Sequence, residues 1–195
     1  MNRSLLKATA KTTFTNHYGM ALLASFLPVV IAGAAGNLFI VGIVLVYPLY
    51  VGQALMFMSF SRNENVELDT LFSGYRGNQF GKFLVAMLLR DVFIFLWTLL
   101  FIVPGIIKSL SYALVPYLLA DSDVSSDEDV ITRSRVMMDG YKWDLFMLYL
   151  SFIGWFLLSL LTFGILGIFY VGPYLNQSIA LFYQEVKSAN IQRLE

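Results

Sequence analysis

Three long apolar blocks, residues 19–60, 82–120 and 143–183, constrain this chain more than any other feature it has. Each runs to about 40 residues, and one crossing of a bilayer needs roughly 20. A single helix of that length would reach about 60 Å, twice the hydrocarbon core. Two crossings joined by a tight turn fit instead. Turn chemistry stands near the middle of each block: Gly33, Ala34, Ala35, Gly36 and Asn37, then Pro104 and Gly105, then the stretch 164–167 with a Gly at either end. The expected fold is all-α and polytopic, a single membrane domain over residues 1–195 with six transmembrane helices as three hairpins.

Composition agrees. Apolar residues make up 58% of the 195 positions and charged residues 13%, where soluble domains run near 45–50% and about 25%. A formal net charge of zero offers no overall attraction to nucleic acid. The absence of Cys excludes disulfides, thiolate nucleophiles and Cys-ligated metal. Residues 1–15 carry Arg3, Lys7 and Lys11 and lack the apolar core of a secretory signal. The first apolar stretch is therefore expected to stay as a membrane helix.

Lys and Arg set the expected orientation. Arg3, Lys7, Lys11, Arg62, Arg76, Arg133, Arg135, Lys142, Lys187 and Arg193 lie before, between or after the blocks, and Lys82 at the first residue of the second; only Lys108 lies near a far-side turn. The positive-inside bias then puts both termini and the long loops in the cytoplasm of a plasma-membrane protein.

A phrase recurs in the second half of each block: Tyr47, Pro48, Leu49, Tyr50; Val115, Pro116, Tyr117, Leu118; Gly172, Pro173, Tyr174, Leu175. A polar residue follows each Pro by four or five positions: Gln53, Asp121 and Gln177. Upstream of each block lies a polar or amphipathic segment, giving pseudo-repeats of about 1–60, 61–120 and 121–195. The clearest such segment is 126–142, with Ser125 or Ser126 as cap and Asp127, Glu128 and Asp129 at the positive end of the helix dipole. Val130, Ile131, Met137, Met138 and Tyr141 share one face, flanked by Arg133, Arg135 and Lys142. This pattern suits a helix in the headgroup layer with its basic residues on lipid phosphates, or a cap on the bundle. Leu68, Leu71, Phe72 and Tyr75 make a weaker face, interrupted by Gly74 and Gly77.

The candidate binding residues are these basic positions together with charges at membrane depth. Arg90 and Asp91 sit about 12 Å past Lys82 at 1.5 Å per residue. At that depth each is costly unless paired or hydrated. Lys108 and Asp121 are the candidate partners, Asp121 for Arg90 and Lys108 for Asp91. A crossing that starts near Asp91 would instead leave Arg90 as a snorkelling anchor.

Catalytic constellations are missing. His17 is the one histidine, and no nucleophile and base can be assembled around it. Phosphate loops, dinucleotide fingerprints, zinc spacings and a Ca²⁺ loop are all absent. No enzyme activity, metal or cofactor is expected.

Residues 102–108 (Ile, Val, Pro, Gly, Ile, Ile, Lys), Tyr112, and Leu119 with Ala120 and Asp121 form part of a recognisable signature. Residues 133–138, 140–143 and 151–155 complete it. Together they resemble the Firmicute integral membrane family known as domain of unknown function nine-seven-five. That family is similar in outline to the membrane domain attached to some glycerophosphodiester phosphodiesterases. Tyr141 stands where its pattern often has His. The resemblance implies a Gram-positive plasma membrane and no biochemical activity. Two functions are expected: binding or helping to move an amphipathic ligand (lipid or peptide), or an accessory role beside another membrane protein in envelope stress or peptide immunity.

Overall fold

Among the residues that the computed structural model describes, 3–34, 39–76, 79–121 and 129–192, regular structure is helical and no strand occurs. In order these are α1 (Arg3–Asn16), α2 (Tyr18–Ala34), α3 (Phe39–Ser61), a 3₁₀ helix (Leu68–Tyr75), α4 (Phe80–Leu100), α5 (Ile102–Ser111) and α6 (Val115–Ala120). There follow α7 (Val130–Met137), α8 (Lys142–Leu150), α9 (Ile153–Leu161), a π turn (Gly167–Val171) and α10 (Gly172–Gln192). A helix satisfies its own backbone, which is what an apolar solvent demands.

Among the described residues, four stretches are long and apolar enough to cross a membrane: Val44–Ser61, Phe80–Leu100, Ile102–Ala120 and Lys142–Leu161. The pair α1 and α2, bent by 95°, passes the same test together, and counted as one broken span it makes five. These candidate spans overlap the expected blocks without giving two to every block, and α5–α6 and α8–α9 each form one of them.

Two turns are displaced from their expected positions. The second lies at Phe101, which is extended at φ −156°. Pro104 and Gly105 instead occupy the first turn of α5, where the missing Pro N–H costs little. Gly105 earns its place by packing on Thr98, where a Cβ would collide with that residue's backbone and side chain. The third turn is made by Phe163 and Gly164, both left-handed at φ 52° and 84°. The first falls partly on residues 35–38, outside the described residues.

Burial separates a central helix from peripheral ones. In Val44–Ser61, 67% of the residues are buried, against 17% in Phe80–Leu100. Accordingly α3 packs on α2, α4, α6, α10 and the 3₁₀ helix, with Leu49, Phe57 and Phe60 sealed from solvent. By contrast α4 exposes Phe95, Leu96 and Leu99, as a lipid-facing wall would.

The amphipathic segments are spent on protein. Val130, Met137 and Met138 of the segment 126–142 are all buried, at 3%, 6% and 0% exposure. Ser134 donates its hydroxyl to the Ser111 carbonyl at 2.9 Å, between α5 and α7. The apolar face of this segment is therefore covered mainly by the bundle, with Ile131 and Tyr141 partly buried against it. Residues 126–128 of that segment lie outside the described residues. The 3₁₀ helix behaves alike: Leu71 lies against Gly52, and Gly74 against Pro48, at approaches only glycine permits. Gly74 is thus a contact and not an interruption. α1 packs on α10, where Tyr174 donates to the Lys7 carbonyl at 3.1 Å. Each amphipathic segment rests on a Pro-bearing helix: α1 on α10, the 3₁₀ helix on α3, and α7 on α6.

Candidate ligand-binding cavity

A cavity of about 530 Å³ lies among α3, α4, α5, α6, α8 and α10. Arg90 and Asp91 enter it from α4, Tyr50 and Gln53 from α3, Tyr149 from α8 and Asn176 from α10. Ile94, Leu110, Ala113 and Ile179 make its apolar wall. Charged, phenolic and aliphatic surface thus meet in one half-open space.

Arg90 and Asp91 pair with each other. The Nε of Arg90 lies 3.3 Å from Asp91 Oδ1, an ion-pair distance between neighbours whose helical positions diverge. The long arginine side chain bridges that divergence. The approach is out of line for a hydrogen bond, and this Nε is buried without a hydrogen-bond partner. Nη1 of Arg90 points to Met87 Sδ at 3.7 Å, a soft and weak acceptor. Asp91 is better served, since Tyr47 donates to Oδ2 at 2.8 Å. The pair is asymmetric: the carboxylate is held and the guanidinium is under-used.

The partners expected from sequence are engaged elsewhere. Lys108 lies over the Trp97 ring at 4.7 Å and near Tyr112 at 5.9 Å, a cation–π arrangement, instead of meeting Asp91. Asp121 is sealed, with its side chain 1% exposed, and Lys187 reaches it at 2.6 Å instead of Arg90. Tyr183 donates to the same carboxylate at 2.6 Å. Both differences have one cause: aromatic rings and a lysine on α10 are nearer than the charge on α4.

Arg133, Arg135 and Lys142 converge. They line a groove of about 940 Å³ with Lys187, Asp129 and Asp139. Arg135 also borders a second groove, of about 530 Å³, shared with Lys108, Trp97 and Tyr112. The seven candidate residues therefore divide between a polar cavity, a basic groove, an aromatic groove and one buried ion pair.

The polar residues after each Pro act as cross-helix links. Gln53 donates to the Ala24 carbonyl at 2.9 Å, joining α3 to α2. Gln177 donates to Phe57 O at 3.3 Å and Ser61 Oγ at 2.6 Å, joining α10 to α3. Asp121, just beyond α6, is held from α10. His17 stacks on Phe60 at 4.8 Å, a packing role. Sequence reasoning missed Tyr47, Tyr183 and Lys187. Tyr183 and Lys187 stand four apart on α10, the spacing of one helix face, but nothing in that spacing names Asp121.

Residues 102–190 match the family model described as Protein of unknown function (DUF975), so the resemblance read from the sequence holds. No curated protein and no solved structure matches the chain.

Proposed function

We propose that this chain, with the signature of a family of unknown function over residues 102–190, is a non-enzymatic membrane protein. In this reading it binds, or helps to move, an amphipathic ligand, a lipid or a peptide. The observation that carries it is the Arg90 guanidinium. It stands in a cavity with aliphatic walls, and its Nη donors find only a thioether among the described residues. Intramembrane ionisable groups that face a cavity mark ligand paths more often than packing. A headgroup on Arg90 with chains along Ile94, Leu110 and Ile179 suits both kinds of wall.

The topology that goes with this reading is three hairpins and six crossings, with both termini cytoplasmic in a plasma membrane. Supporting it, α2 carries no charged side chain over its 17 residues, and residues 165–183 contain none either. The basic residues cluster on one side of that scheme. The cyclic packing of amphipathic segments on Pro-bearing helices supports the threefold repeat.

The test is lipid extraction and mass spectrometry of the protein purified in mild detergent, beside Arg90→Gln. An amphiphile enriched over bulk lipid in the wild type and depleted in the variant is expected. Equal retention by both proteins, or enrichment in neither, would remove this reading.

A further inference from the structure

Among the described residues, the turn that follows α9 is the most exposed apolar surface. Leu160 and Leu161 are each 78% exposed, Phe163 98% and Ile165 62%. An aqueous loop of this kind would carry charge or amide side chains, yet no Asp, Glu, Lys or Arg occurs between Asp144 and Glu185. The turn sits near the middle of that uncharged run.

Its amides do not need water. The amides of Thr162, Phe163, Gly164 and Ile165 donate to the carbonyls of Leu158 and Ser159, Leu160, Ser159 and Thr162 respectively. The Leu166 amide donates to Thr162 Oγ1 at 3.2 Å, while that hydroxyl itself donates to Ser159 O at 3.0 Å. One polar side chain is present in the turn, and it is spent internally. Phe163 is the second signal. It is left-handed at φ 52°, a position that a water-exposed helix end gives to Gly or Asn. No protein contact repays a bulky aromatic there.

Length agrees. From Lys142 to Phe163 the chain rises about 31 Å at 1.5 Å per residue, against a hydrocarbon core of about 30 Å. The turn reaches the far boundary of the core and goes no further. The bend at Phe101 repeats the chemistry, with Leu99, Leu100, Phe101, Ile102 and Val103 between 61% and 72% exposed.

We propose that the turn at 160–165 remains inserted in the lipid of the far leaflet, with Phe163 as its anchor. The occupant of this surface is lipid and not a protein partner. The apolar surface continues without a polar rim into Phe156 and Leu157 of α9, whereas protein interfaces close on a polar rim. The proposal rests on the bilayer-spanning reading and is independent of the ligand at Arg90.

The native chain has no Cys, so Phe163→Cys labelled with an environment-sensitive fluorophore reports this turn alone. Ile165→Cys serves as a second site if the first variant folds poorly, and Glu64→Cys in the exposed loop after α3 as the aqueous control. The full-length protein is reconstituted in phosphatidylglycerol–phosphatidylcholine vesicles, and co-flotation checks the membrane reading separately. Lipids brominated near the glycerol end should quench the label at 163 several-fold more than at 64, and iodide should do the reverse. Quenching of the 163 label by iodide would overturn the proposal, because the turn would then be in water. Resistance to both quenchers would also overturn it, because protein, for example a second copy, would then cover the turn.

Discussion

The ammonium of Lys187 lies 2.6 Å from Oδ2 of Asp121, and the Tyr183 hydroxyl donates to that same oxygen at 2.6 Å. The pair joins the end of α6 to α10 and lies one layer behind the central cavity. Tyr117, which lines the cavity, stacks on Tyr183 with ring centroids 5.6 Å apart. Lys187 meanwhile borders the basic groove on the other side. A single layer of two tyrosines and an ion pair separates the two spaces.

That layer is expected to be a stability element. Lys187→Met leaves the Asp121 carboxylate buried without its ammonium, which typically costs about 3–5 kcal/mol. Asp121→Asn combined with Lys187→Met should recover part of the loss, because the stranded charge is removed with its partner. Denaturant unfolding in detergent measures all three variants. Wild-type stability in Lys187→Met would remove the pair from the list of what holds α10 to α6.

Gly52 and Gly74 make a second prediction. A Cβ on Gly52 would meet the Leu71 backbone, and one on Gly74 the Pro48 backbone. Backbone cannot swing aside as a side chain does. Gly52→Ala and Gly74→Ala should each cost about 1–3 kcal/mol, the usual penalty for overpacking. Gly19→Ala, with nothing within 4 Å of the added methyl, is the control and should be nearly neutral. The readout is again the unfolding midpoint. Neutral behaviour at Gly52 would mean that the 3₁₀ helix is not seated on α3.

The helical class and the presence of stretches long and apolar enough to cross a membrane were legible, because an apolar run of that length must satisfy its own backbone. What the amphipathic segments touch was not legible. The spacing of Val130, Met137 and Met138 reports an apolar face and says nothing of whether lipid or protein covers it. Partner choice failed for a related reason. Arg90 and Asp121 look complementary in sequence, but α10 brings Lys187 closer, and helix adjacency is a property of the packed bundle. The turn at Phe101 was misplaced by three residues because Pro and Gly mark both turns and first helical turns. Arg90 and Asp91 stood out as charges inside an apolar block; Tyr47, which holds Asp91, carries no such mark.

Tyr47 supplies the third prediction. Tyr47→Phe removes the donor to Asp91 Oδ2 and should cost about 1.5–3 kcal/mol, the range for a hydrogen bond to a charged group. In Asp91→Asn the same change should cost less, since the acceptor is no longer ionised. The coupling from the double-mutant cycle is the quantity to measure. Additive effects would show that the phenol and the carboxylate act independently.

The last prediction concerns acid and the start of α7. Asp129 is the N-cap, accepting from the amides of Ile131 and Thr132 at 3.1 and 3.3 Å and from the Thr132 hydroxyl at 2.6 Å. These bonds favour the ionised form, the Thr132 hydroxyl most of all, and hold its pKa below the ordinary 3.8. Because the folded value is the lower one, the stability gained is fully present above the unfolded value. It is lost as pH falls from there through the folded pKa. Asp129→Ala should cost about 1 kcal/mol at neutral pH, the typical worth of an N-cap. The gap between wild type and Asp129→Ala should narrow below about pH 3.8, the unfolded reference. Asp129→Asn keeps an acceptor but no charge, so it should lose less at neutral pH and show no narrowing of its own in acid. Unfolding curves at neutral pH and near pH 3 compare the three proteins. A gap that stays constant across that range would mean that α7 is held by its buried face against α6, with the cap contributing nothing that depends on charge.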